Sequence, residues 1–582
     1  MTTGTPAYRA AAREAPAFAS EAAAMRDRAR RLGLPFTVSV MLGRPPPVDI
    51  AAIEDARAAW SDDGHLFIAP DEDTLPQVRH WLARYGSNGR VTVTTRSAIR
   101  AALIRAGAGH FLTQSRRRLE GIDPSFSARV VMTGRQIGGG LAAAALLAAA
   151  LALAPRTTLL LLGIAAATLF LAISLLRVAA AALLPRGPVR PRLAAADAPD
   201  LPVYTVLVPL YREEGMVEQL VAGLESLDWP RDRLDIKLIV EEDDLATRRA
   251  VTRAAGGPPF EVIVVPRAAP RTKPKALAFA LSFARGSFVT IYDAEDRPHP
   301  AQLREAYAAF RRAPAEVACL QAPVIVNNRR ASHISRFFSV EYSALFDGLL
   351  PALVRLGLPL PLGGTSNHFR REVLEAVGAW DPYNVTEDAD LGIRLARFGY
   401  RSATLLLPTY EEAPVSFLPW LNQRTRWFKG WIQTWLVHMR QPVRLVREIG
   451  FRQFAGFNLV GIGMILSALI HPAYLAALVL GLANPFAFGG DLAAEFVAGI
   501  SLVNLAAGYL AMAMLSLRTL AMRGRRRDAA ALVWMPVYWL MMSLACLRAL
   551  VEVAARPHHW RKTPHRGRRP AAAAAVRPGG RR

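Results

Sequence analysis

The sequence predicts a doubly wound α/β domain inserted between apolar helices, with a small α/β module ahead of it, and three observations lead there. Apolar runs at 137–154, 159–184, 454–482, 492–517 and 529–553 approach or exceed the roughly 20 residues a helix needs to cross a bilayer. Between 202 and 419, strand-length apolar runs alternate with helical patterns, as in a mostly parallel sheet covered on both faces. Residues 1–130 hold no such span, and short β-type runs alternate there with amphipathic stretches.

Composition agrees. The chain has 582 residues, 52% of them hydrophobic, which is too long and too apolar for one soluble domain. The net charge of +24 would suit nucleic acid, but the arginines collect beside the apolar runs and in the tail from Arg556 onward. That placement fits positive-inside topology and anionic membrane lipids, and argues against a nucleic-acid partner. Cys319 and Cys546 are the only cysteines, so neither a disulfide framework nor a cysteine metal site is expected. The N-terminal stretch carries no apolar h-region, which argues against a cleaved signal peptide.

Taken in order, the N-terminal module (1–130) reads as strands at 36–41, 65–68 and 91–94 with helices at 75–85 and 96–106. Residues 137–184 form a transmembrane hairpin around Pro155-Arg156-Thr157-Thr158, its second run interrupted only by Arg177. Arg116, Arg117, Arg118, Arg129 and Arg135 precede it, and Arg186, Arg190 and Arg192 follow, which places both ends in the cytoplasm. The domain at 202–419 reads as strands at 203–210, 236–240, 260–265, 287–292 and 317–325, with helices at 216–227 and 275–284. In such sheets ligands bind beyond the carboxyl ends of the strands.

The residues at those ends are acidic. Tyr211-Arg212-Glu213-Glu214 follows the first strand, Glu241-Glu242-Asp243-Asp244 the second and Asp293-Ala294-Glu295-Asp296 the fourth. One such cluster reads as solvated loop acids; three at one sheet edge suit a hard cation such as Mg²⁺ or Mn²⁺ bridging a diphosphate. Further on, Gly363-Gly364-Thr365-Ser366-Asn367 offers close backbone approach and small donors, with His368 as a structural hydrogen-bonder. Thr386-Glu387-Asp388 opens a helix: Thr386 suits an N-cap, and an Asp there could take a proton from a sugar hydroxyl. Gln423-Arg424-Thr425-Arg426-Trp427 then gathers guanidinium forks and flat aromatics ahead of the apolar runs, as an anion site or as an amphipathic interfacial helix.

The motifs Pro209-Leu210-Tyr211, Lys273-Pro274-Lys275, Asp293-Ala294-Glu295, Thr386-Glu387-Asp388 and Gln423 to Trp427 occur in an order that resembles membrane-embedded family 2 glycosyltransferases, the cellulose, chitin and hyaluronan synthases among them. The resemblance covers about 203–435. It implies a GT-A-type fold with Pro209, Tyr211, Glu213 and Glu242 at the nucleotide, Lys275 at nucleotide or phosphate, and Gly364 and Thr365 among the substrate-binding residues. Asp293 and Glu295 would hold Mg²⁺ or Mn²⁺, Asp388 would be the general base beside Glu387, and Gln423, Arg426 and Trp427 would close over the diphosphate and acceptor. Two departures stand out: Glu241-Glu242 replaces the usual Asp-Asp, and Glu295 replaces the second Asp of the metal motif. Arg31 to Phe36 and Pro124-Ser125-Phe126-Ser127 resemble the N-terminal domain of type II secretion ATPases, some relatives of which bind a cyclic dinucleotide; a plain docking module is the alternative.

The resulting expectation is a multi-pass protein of a bacterial-type inner membrane with its catalytic domain in the cytoplasm. It would transfer sugar from a nucleotide sugar, UDP-linked, to a growing polysaccharide exported through its own helices. Loading of a lipid-linked acceptor such as polyprenyl phosphate is the alternative, and a non-catalytic receptor a third. The domain plan continues with an interfacial helix at 420–446, a transmembrane region at 454–553 and a basic tail at 556–582. Because a cytoplasmic tail needs an even number of crossings and five runs are present, either Pro472 splits the run at 454–482, which would strand the arginines at 518–527 outside, or, as expected, Pro536 breaks the last run into a re-entrant hairpin.

Overall fold

The computed structural model describes residues 16–43, 48–87, 89–185, 189–195, 201–255, 257–483 and 492–558. The start of the chain, Arg186 and most of the basic tail read from the sequence lie outside the described residues.

In the N-terminal module β1 (Ala58–Trp60), β2 (Leu66–Ile68) and β3 (Val91–Val93) form a small sheet in that order, antiparallel then parallel. The run at 36–41 is not a strand; it touches the sheet through one bridge, Phe36 to Val93. The Thr37 hydroxyl there donates to the Ser39 carbonyl at 3.2 Å and accepts from the Ser39 amide at 3.1 Å, a local turn that competes with the ladder. The helix begun at Arg96 runs on to Ile122, and Gly107 within it makes room for the Phe111 ring, where a Cβ would stand 2.6 Å away. This module packs on the next domain through Phe111 against Phe283 (5.2 Å between centroids) and Arg100 Nε on Glu261 at 2.6 Å.

Two helices follow, Gly134–Leu153 and Pro155–Leu183, separated by Ala154 alone. The expected four-residue turn is absent because Pro155 starts the second helix, where its fixed φ fits and its missing N–H is not needed.

The central domain has one mixed sheet. Its strands are β4 (Tyr204–Leu210), β5 (Leu234–Glu241), β6 (Phe260–Val265), β7 (Phe288–Ile291), β9 (Val317–Gln321), β11 (Asn367–Arg370) and β12 (Arg401–Thr404), in the order β12-β9-β11-β7-β4-β5-β6. β11 runs antiparallel to both neighbours and the other pairings are parallel. The sequence hides β11 because it is short and mostly polar; Asn367 Nδ2 donates to the Gly363 carbonyl at 2.5 Å. The run expected at 317–325 splits at Pro323, which has no amide for the ladder. Its second half, β10 (Val324–Val326), joins β13 (Thr409–Glu411) and β8 (Arg297–Pro298) in a minor sheet.

After the sheet comes the helix Phe417–His438, in which Trp420, Arg424, Phe428, Lys429 and Gly430 are buried. Pro442–Ala483 bends at Gly450 (φ 77°, ψ 159°), and Leu492–Met522 follows. Pro536 does not break the last run. It lies in the first turn of one helix, Met535–Ala555. This helix lies along Phe417–His438 in the same direction. Trp420 Nε1 donates to Tyr538 Oη at 3.1 Å near one end, and Gln433 Nε2 donates to the Pro557 carbonyl at 2.8 Å near the other. The last run is thus one continuous helix and not a re-entrant hairpin. Six helices among the described residues are long and apolar enough to cross a membrane; one of them, His333–Arg355, is 67% buried within the fold over its apolar window. The others are Gly134–Leu153, Pro155–Leu183, Pro442–Val479, Glu495–Met522 and Arg526–Ala555.

Candidate active site

The carboxyl ends of β4, β5 and β7 open into a cavity of about 530 Å³ that continues between the apolar helices. After β4 the backbone turns at Arg212 (φ 55°), whose amide donates to Asp244 at 2.5 Å, and this sets Tyr211 and Glu213 into the cavity wall with Pro209. At the end of β5 the cavity is faced by Glu241. Glu242 is exposed and accepts from the Arg267 amide at 3.1 Å, so the structure does not bring it to the cavity. Lys275 is also turned away: it is fully buried with Nζ 2.8 Å from Glu241.

The lysine that does reach the cavity is Lys273. Its Nζ stands 2.5 Å from Asp293 and donates to the Gly364 carbonyl at 2.5 Å. The sequence shows both lysines of Lys273-Pro274-Lys275, and only the helix start at Lys273 decides which one points out of the core.

Asp293, Glu295, Thr365 and Glu411 meet near this lysine. Asp296 sits behind them: its Oδ2 accepts from the Asp293 amide at 2.7 Å and from the Thr365 hydroxyl, while its Oδ1 is buried without a partner. Burial, and then the charge of Asp293, push the Glu295 carboxyl above the usual carboxylate range; Asp296 is raised by the same causes. Glu411 is raised by burial and then by Asp296. Acids held close in a buried place with one oxygen orphaned fit a divalent cation. Asp293 and Glu295 are the hard oxygen donors that would hold it, although no three such side chains converge as a ready ligand set among the described residues.

Across the cavity, Thr386-Glu387-Asp388 starts the helix Glu387–Arg397. Thr386 stands at the N-cap position but makes no capping hydrogen bond, contrary to expectation. It packs against Gly430 instead, where a Cβ would lie 2.3 Å from its methyl group. Asp388 accepts from the Ala389 amide at 2.8 Å and lies so near Gly364 that a Cβ there would be 3.2 Å from its carboxylate. Burial raises both Glu387 and Asp388, opposed by Lys273 and Arg426.

Gln423, Arg426 and Trp427 all face the cavity, and Gln423 Oε1 is buried without a partner. Trp427 is held by stacking on Tyr342 (18° between planes) and by Arg424, whose guanidinium carbon lies 4.4 Å from its ring. Arg424 itself is clamped on both oxygens of Glu341, at 2.7 and 2.6 Å. Phe428 and Trp431 face the cavity too, so neither is a free interfacial anchor. His368 is structural as expected: Nδ1 pairs with Tyr204 Oη at 2.8 Å, Nε2 with Gln302 at 3.2 Å, and burial lowers it to about 3. Among the described residues the N-terminal module contributes none to the cavity, and the cyclic dinucleotide expectation is not supported.

A mixed sheet with acids at its carboxyl edge, facing a helix-start Asp and an arginine–tryptophan pair, has the layout of a GT-A-like fold. Residues 288–551 match the family described as glycosyl transferase family group 2. The chain is 26% identical over 256 residues to a probable glycosyltransferase, YdaM, of Bacillus subtilis, covering 43% of this chain and 60% of that protein. It is 28% identical over 275 residues to the beta-monoglucosyldiacylglycerol synthase of Synechocystis sp., covering 45% and 56%. A solved mannosyltransferase of Pyrobaculum calidifontis, in complex with GDP-Man and Mn²⁺, aligns at 21% identity with a TM-score of 0.46, over 68% of this chain and 98% of that one. The chain spans little more than half the length of these curated relatives.

Proposed function

We propose that the protein is a membrane-bound, inverting glycosyltransferase that moves a sugar from a nucleotide sugar, UDP-linked, to a growing polysaccharide, with the product leaving through its own helices. One observation carries this reading: a single cavity holds the acidic nucleotide end of the sheet, Asp388, and the apolar helices from Phe170 to Met542. Tyr211, Glu213 and Glu241 line the end where the base would lie. Lys273, Gln423 and Arg426 would meet the diphosphate, and a divalent ion held by Asp293 and Glu295 would supply further charge neutralisation. Asp388 would take the proton of the acceptor hydroxyl as that oxygen attacks the anomeric carbon. Lys273 and Arg426 favour its ionised form, and Gly364 leaves room for the sugar beside it. The acceptor would enter on the face of Trp427 and Tyr342, and the sheet domain would lie in the cytoplasm.

The test is transfer of radiolabelled sugar from UDP-glucose, UDP-N-acetylglucosamine or GDP-mannose by purified protein with Mg²⁺ or Mn²⁺. Full activity in Asp388→Asn would refute the mechanism. A lipid-linked acceptor is a second reading, supported by the largely apolar lining around Ile173, Met464, Leu505 and Met512 and by the relative named for a glucosyldiacylglycerol. Product length separates the two.

A further inference from the structure

We propose that Arg177 and His471 form a second ligand subsite within the helical bundle, an oxyanion pocket for a phosphate or carboxylate carried on the acceptor. The inference rests on the reading above, that the acceptor lies in this cavity. Arg177 interrupts an otherwise uncharged run of the helix Pro155–Leu183, about 9 Å of helical rise before its end. A guanidinium at such a place is costly unless it is paired, and it marks a substrate path by default. It does not reach out toward headgroups: its Cζ stands 5.5 Å from the Trp539 ring centroid, and the residue faces the cavity. Among the described residues no carboxylate pairs with it.

A second observation points to the same ligand. His471 is 3% exposed and faces the same cavity, its ring 5.6 Å from that of Trp539, so arginine and histidine flank one indole. Its Nε2 pairs with Tyr509 Oη at 2.7 Å, and its Nδ1 is buried without a partner. In the tautomer in which Tyr509 donates to Nε2, Nδ1 carries the proton and is a donor. Ser467, one turn earlier on the same helix face, also faces the cavity with a buried, unpartnered hydroxyl. Three unused donors, one of them a permanent cation, suit an oxyanion. The oxyanion comes either from a lipid phosphate or from an acidic unit of the sugar chain.

Binding to the purified full chain, without nucleotide sugar, tests this with two pairs of probes: dodecyl phosphate against dodecanol, and oligogalacturonate against a neutral cello-oligosaccharide. The expected result is that one anionic probe binds at least tenfold more tightly than its neutral counterpart. Arg177→Met should remove that preference and leave the neutral affinity unchanged, and Arg177→Lys should keep part of it. Preference for dodecyl phosphate assigns the oxyanion to a lipid, and preference for oligogalacturonate assigns it to the glycan. No preference for either anion, or an Arg177→Met variant that weakens both members of a pair alike, would overturn the proposal. Because the readout is binding, absence of sugar transfer would refute the proposed function while leaving this subsite standing.

Discussion

Gly430 is where the helix Phe417–His438 meets the helix that starts at Glu387, and Gly430→Ala tests whether that contact sets the catalytic geometry. A Cβ at Gly430 would stand 2.3 Å from the Thr386 methyl and 2.4 Å from its hydroxyl. Carbon atoms prefer about 3.5 Å or more, so the two elements must part by about 1.2 Å. Overpacking of this kind costs about 1–3 kcal/mol of stability. Thr386 directly precedes Glu387 and Asp388, so the shift is passed to the carboxylates, and a misplacement of about 1 Å lowers the rate about 100-fold. Sugar transfer and thermal unfolding of purified Gly430→Ala should both be measured, together with Thr386→Ser and the double variant. Serine removes the nearest atom and frees the hydroxyl to rotate, so the double variant should recover most of the loss. Wild-type kcat and stability in Gly430→Ala, or additive losses in the double variant, would refute the reasoning.

Other outcomes follow from the same geometry. Asp388→Asn should lower transfer by about 10²–10⁴-fold with donor binding retained, as read by kcat against donor KM. Lys273→Met leaves Asp293 without its cation and should raise donor KM, whereas Lys275→Met should act through stability, because its partner is the buried Glu241. Arg424→Met strands Glu341 and should destabilise the protein by about 3–5 kcal/mol, and adding Glu341→Leu should restore much of that in chemical unfolding. Burial pushes Asp235 up, but Lys237 at 2.7 Å and Arg285 at 3.0 Å outweigh it and hold the carboxyl down to about 2. A depressed carboxyl stabilises above its unfolded value near 4 and loses that contribution as pH falls toward 2. Asp235 should therefore contribute about 2 kcal/mol at neutral pH, and unfolding midpoints between pH 5 and 3 should fall less steeply in Asp235→Asn.

Several elements were legible in the chain because their information is local. The helix Leu75–Tyr85 and strand β6 have the expected limits, since a hydrophobic period, or a short run ending in Val262-Ile263-Val264-Val265, decides them without help. Pro209, Tyr211, Glu213, Asp293, Glu295, Gly364, Thr365, Glu387, Asp388, Gln423, Arg426 and Trp427 all face one cavity; Tyr211, Glu213, Asp293 and Glu295 do so because they follow strand ends, and Glu387 and Asp388 because they open a helix at the same edge. Glu242 and Lys275 do not, and no pattern in their neighbourhood distinguishes them from Glu241 and Lys273. Which of two adjacent polar side chains faces the cavity depends on strand register and helix phase, set by packing from elsewhere.

The sequence alone determined that apolar helices flank an α/β domain, that acids crowd one sheet edge and that a helix-start Asp precedes an arginine–tryptophan pair. Only the tertiary structure decided that β11 runs antiparallel, that Met535–Ala555 lies along Phe417–His438, that Thr386 answers Gly430, and that Arg177 shares an indole with His471. Hydrophobic period and turn chemistry act between residues a few positions apart, whereas these contacts join residues far apart in the chain, where pairing follows from the shape each element presents after the others have packed.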